Sequence, residues 1–73
     1  MKATLSFTLP DEQEEYSDAL NGSRALCVMR EFDEWLRCEL KYASPPPERE
    51  SALTAVRDKL YELLEERNIR IWE

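Results

Sequence analysis

The chain has 73 residues, 42% hydrophobic and 36% charged, enough for one small domain with a modest core and too few for two. Sixteen acidic against ten basic side chains leave a net charge of −6, which argues against direct contact with nucleic acid or an anionic membrane and favours basic protein partners. The absence of histidine and the presence of only two cysteines and one glycine remove the groups that most often carry acid–base, zinc and nucleotide-binding chemistry, so no metal or cofactor is expected.

Residues 3–9 alternate, with Ala3, Leu5, Phe7 and Leu9 on one side and Thr4, Ser6 and Thr8 on the other. That period of two predicts a half-buried strand, stopped by Pro10. The same segment lacks the continuous apolar stretch of a signal peptide, and no later run is long enough to span a bilayer, so the chain reads as cytosolic. Asp11 followed by Glu14 resembles a capping box and opens a short helix to about Leu20, which Asn21-Gly22 is expected to end.

Ser23 can cap a second helix running to about Tyr42. On a helical wheel Trp35, Val28, Phe32, Ala25, Leu36, Met29, Leu40 and Leu26 fall within about half a turn, which marks the central core helix with Trp35 inside it. Cys27, Glu31, Glu34 and Cys38 take the opposite side. The two thiols lie roughly 16 Å apart along such a helix, beyond disulfide reach, and are expected to be reduced.

Ala43-Ser44-Pro45-Pro46-Pro47 cannot continue a helix and forms a stiff connector, with Pro47 suited to the first turn of the next one. From about Glu48 to Glu66, Leu53, Val56, Leu60, Leu63 and Leu64 recur at helical steps and predict a third amphipathic helix. Its far side carries Asp58, Glu62 and Glu65, a candidate acidic face. Asn68 can terminate it, and Ile69-Arg70-Ile71-Trp72 has the alternation of a short strand. The expected fold is therefore α+β and mainly helical, a strand-helix-helix-helix-strand chain over residues 1–73 whose terminal segments pair in a small two-stranded sheet. If Ile69 and Ile71 face inward, Arg70 and Trp72 face outward as contact candidates; the alternative is a Trp72 ring folded back on the helices.

The run Leu5-Ser6-Phe7-Thr8-Leu9-Pro10-Asp11-Glu12-Gln13-Glu14-Glu15, followed by Phe32-Asp33-Glu34-Trp35-Leu36-Arg37 and by Leu40-Lys41-Tyr42, resembles small acidic proteins of unknown function encoded by tailed bacteriophages and prophages. The resemblance implies an accessory gene product in the bacterial cytoplasm. Many gene products of that setting bind and inhibit a host or defence protein, and with no catalytic motif in the sequence the expected function is a non-enzymatic protein that binds and modulates such a partner.

With that reading the expected contact residues, for a partner or for a homodimer, are Trp72, Arg70, Cys27, Cys38 and Tyr42. The alternative is an acidic DNA mimic that presents Asp58, Glu62 and Glu65 to a nucleic-acid-binding enzyme. Arg57, Lys59 and Arg67 interrupt that acidic array. The carboxylates stand on expected solvent faces, which disfavours a hydrolytic pair or a cation site.

Overall fold

The computed structural model describes residues 1–72, which build two helices, α1 (Gln13–Lys41) and α2 (Pro47–Glu66), folded as an antiparallel hairpin about the Tyr42–Pro46 connector. Among the described residues there is no strand, and the fold is all-helical. The expected α+β class and its two-stranded sheet are thereby corrected.

The reason lies in where the two alternating segments attach. Residues 3–9 dock at the start of α1, where the Phe7 and Tyr16 rings meet edge to face with centroids 5.7 Å apart. The carboxy-terminal segment docks near Arg30, whose Nε donates to the Ile71 carbonyl. Tyr16 and Arg30 are separated by about 20 Å of helix, so the two segments have no common edge to share. Without a partner strand Leu5 and Leu9 remain exposed. A single strand cannot satisfy its own backbone.

The expected break at Asn21-Gly22 is absent, and one helix of 29 residues runs through it. A glycine inside a helix costs about 1 kcal/mol relative to alanine, a preference that an otherwise proline-free stretch from Asp11 to Ser44 outweighs. The start of α1 also differs from the expected capping box. Glu12 occupies the cap position without a side-chain bond into the helix, and its Oε1 instead accepts the Thr8 amide at 2.9 Å.

Pro47 stands in the first turn of α2 as expected, where its missing N–H costs nothing. At the other end Asn68 takes a left-handed conformation, φ 54°. Its amide donates to the Glu65 carbonyl at 3.0 Å and the Ile69 amide donates to Leu64 at 2.9 Å. This pair of bonds is a Schellman termination, which occupies the Leu64 and Glu65 carbonyls and turns the chain back toward α1. The turn explains why Ile71 reaches the core.

The molecule is elongated, 52 × 28 × 20 Å with a radius of gyration of 16.9 Å, against about 11 Å for a compact chain of this length. Among the described residues the buried hydrophobic side chains are Leu36, Leu64 and Ile71, one from each of the three segments. Leu36 is central as expected. Trp35, Val28 and Phe32, placed in the core arc by the wheel, are instead exposed. The apolar arc of α1 is wider than the stripe one neighbouring helix can cover, so the half from Leu36 through Met29, Leu40 and Leu26 is buried or half-buried while the half carrying Phe32, Val28 and Trp35 is exposed.

Two measurements check this fold. Nothing lies within 4 Å of a Cβ built on Gly22, so Gly22→Ala should raise stability by up to about 1 kcal/mol and increase the helical circular dichroism signal. A loss of stability would mean that the helix is interrupted there. Leu36→Asp should abolish the cooperative thermal transition by burying an unpaired charge, whereas Asp58→Ala, on the exposed side of α2, should change stability by less than about 0.5 kcal/mol.

Candidate functional site

Asp33 is the one charged side chain buried among the described residues, 2% exposed, and it sits where α1, α2 and the carboxy-terminal segment converge. Its Oδ1 accepts Arg57 Nε at 2.9 Å. Its Oδ2 accepts the Tyr61 hydroxyl at 2.6 Å and the Trp72 indole Nε1–H at 2.7 Å. Arg57 and Tyr61 reach it because they lie one turn apart on α2. Trp72 reaches it because the Schellman turn reverses the chain. The Arg57 guanidinium also lies 5.5 Å from the Tyr61 ring centroid, in cation–π range.

Burial of the carboxyl pushes its pKa up, but the bonds from Arg57, Tyr61 and Trp72, together with the Arg57 charge, outweigh burial and hold Asp33 below the ordinary value of 3.8. The Tyr61 hydroxyl is raised above 10.0, first by burial and then by donating to an anion. Arg57 is raised by its bond to Asp33. Asp33 is thus ionised at neutral pH and occupied on both oxygens. Tyr61 is protonated and committed as a donor. Such a cluster holds three segments together; it has neither a free base nor a proton poised for transfer.

Beside this clasp the surface opens into a groove of about 390 Å³ lined by Tyr61, Leu64, Glu65, Asn68 and residues 69–72. Arg70 is exposed at its rim. Trp72 forms part of its wall and is 48% exposed, with its indole N–H turned back onto the helices; of the two isoleucines expected to face inward, Ile71 is buried and Ile69 is exposed.

The remaining expected residues are not gathered here. Cys27 is an exposed thiol of α1, and Cys38 is a half-buried one whose Sγ lies 3.7 Å from Glu34. Tyr42 is exposed at the connector, with Lys41 Nζ 5.4 Å from its ring centroid. Asp58, Glu62 and Glu65 are exposed on α2, and Lys59 pairs with Glu62 at 3.4 Å. Among the described residues no group of three or more His, Cys, Asp or Glu side chains is placed to hold a metal ion. Nor is any helix long and apolar enough to cross a membrane.

Sequence reasoning missed Asp33 itself. Its one available signal was position: an acidic residue one turn from Leu36, beside the most apolar stripe of the chain, with Arg57 and Tyr61 at neighbouring turns of the next helix. No family model, curated protein or solved structure matches this chain.

Asp33→Asn keeps the size of the side chain and removes its charge, so it should cost about 2–3 kcal/mol, at the low end for a broken buried pair because the Arg57 side chain is 33% exposed. The Asp33 contribution is fully present above the unfolded carboxylate value, near 3.8, and is lost as pH falls through the lower folded value. Wild-type stability should therefore drop as the pH is taken below about 4, and the Asp33→Asn variant should lose that part of the slope. Urea melts at a series of pH values measure both; identical slopes would remove Asp33 from the clasp.

Proposed function

We propose that this chain is a non-enzymatic phage accessory protein that acts in the bacterial cytoplasm by binding, and thereby inhibiting, a host or defence protein. The observation that carries the reading is the groove beside Trp72. An aromatic wall formed by Tyr61 and Trp72, apolar floor residues Leu64 and Ile71, and an exposed Arg70 make up the composition that dominates binding energy at protein interfaces. The clasp on Asp33 holds that wall in place before any partner arrives, which lowers the ordering cost of association. The resemblance to small acidic phage proteins supplies the setting. The acidic-mimic reading is weaker, because Lys59 is paired within the very array that would have to copy phosphates.

Affinity capture from bacterial lysate with the wild-type chain and with Arg70→Glu tests the proposal. Arg70 takes no part in the Asp33 network, so the variant should stay folded and bind the captured protein at least about tenfold more weakly. Binding should persist when salt shortens the screening length from about 8 Å to about 3 Å. Capture that survives Arg70→Glu but is abolished by salt would transfer the function to the acidic face of α2.

A further inference from the structure

On the side of the hairpin away from the Asp33 clasp, five large apolar residues lie in the open. Val28, Phe32 and Trp35, spaced four and three residues apart, share a stripe about 60° wide on α1, and Val56 and Leu63, seven apart, share one flank of α2. Because Asp33 meets Arg57 and Tyr61 on one side of the helix–helix seam, the opposite flanks of both helices fall on the same side of the hairpin. Phe32 and Trp35 stack on each other, centroids 6.4 Å apart and planes 10° apart, which makes this part of the surface flat. The Arg49–Glu39 ion pair, 3.4 Å, closes its connector end with polar groups.

We infer that this face pairs two copies of the chain about a two-fold axis into a four-helix bundle. Two observations favour a second copy as occupant. The five residues are each 40–65% exposed, which leaves roughly 500 Å² of their surface in water per chain; two copies face to face would then bury about 1,000 Å², the threshold of a specific interface. A layer of two antiparallel helices with three buried hydrophobic side chains is half of a two-layer architecture, and a second identical layer completes it. A two-fold axis parallel to the helices would set α1 against α2 of the second copy. Neither the groove nor Trp72 is consumed, so the inference is independent of the proposed function. It places the dimer contact on residues other than Cys27, Cys38 and Tyr42.

Sedimentation equilibrium of the full chain across concentration and salt tests it. The wild type should sediment at twice 8.7 kDa, more tightly at higher salt because each chain carries a net charge of −6. Trp35→Glu and Leu63→Glu should weaken the dimer at least tenfold while helical circular dichroism is kept, and Arg70→Glu should leave it unchanged. A wild-type monomer throughout, or a dimer indifferent to both Glu variants, overturns the inference. Should the Glu variants lose their helix signal, 5-fluorotryptophan in the wild-type chain decides: the Trp35 resonance should shift with concentration and the Trp72 resonance should not, and the reverse pattern also overturns it. A monomeric wild type whose partner capture is still lost in Arg70→Glu would be failure of this face alone, and an intact dimer whose capture survives Arg70→Glu would be failure of the groove alone.

Discussion

One buried carboxylate organises the molecule. A hairpin of two helices touching along a single seam has little to fix the rotation of one helix about its axis, and three buried hydrophobic side chains do not supply much orientation. Asp33 supplies it. Its two oxygens receive donors from α2 and from the returning carboxy terminus, each with a direction as well as a distance. Burying this charge is costly in isolation, and the cost is offset only when all three donors are in place. That condition couples the segments: the Schellman turn at Asn68, the phase of α2 and the phase of α1 must be right together.

The legible and illegible parts of the fold divide along a physical line. Boundaries set by local covalent chemistry were readable: the prolines before α2, Pro47 in its first turn, Asn68 past its end, and Leu36 in the middle of an apolar arc. Features decided by what lies across space were not. Residues 3–9 alternate as a strand does, yet a strand needs a neighbour, and the only other candidate segment is anchored well along α1 from them. Asn21-Gly22 carries a turn signature, yet the penalty of one glycine is small beside the propensity of the stretches that flank it. Of the site, Trp72 and Arg70 were nominated by alternation alone; Asp33, which positions Trp72, was hidden because an aspartate beside a hydrophobic stripe reads as its polar border unless its donors are known.

The segment Phe32-Asp33-Glu34-Trp35-Leu36-Arg37 accounts for the asymmetry of the hairpin. Asp33 and Leu36, three apart, point into the seam and are buried; Phe32 and Trp35, also three apart, lie on the adjoining flank and are exposed. Two interleaved pairs at helical spacing thus assign different work to two sides of one helix within two turns. Charge reinforces the division. Glu34 is paired with Arg37 on its own helix at 3.4 Å at the exposed surface, while Arg57 is bonded to Asp33. A substitution on the Phe32–Trp35 flank alters a surface, whereas one on the Asp33–Leu36 side alters the fold. That separation is what allows the apolar flank to stay exposed in a single chain without dissolving the clasp behind it.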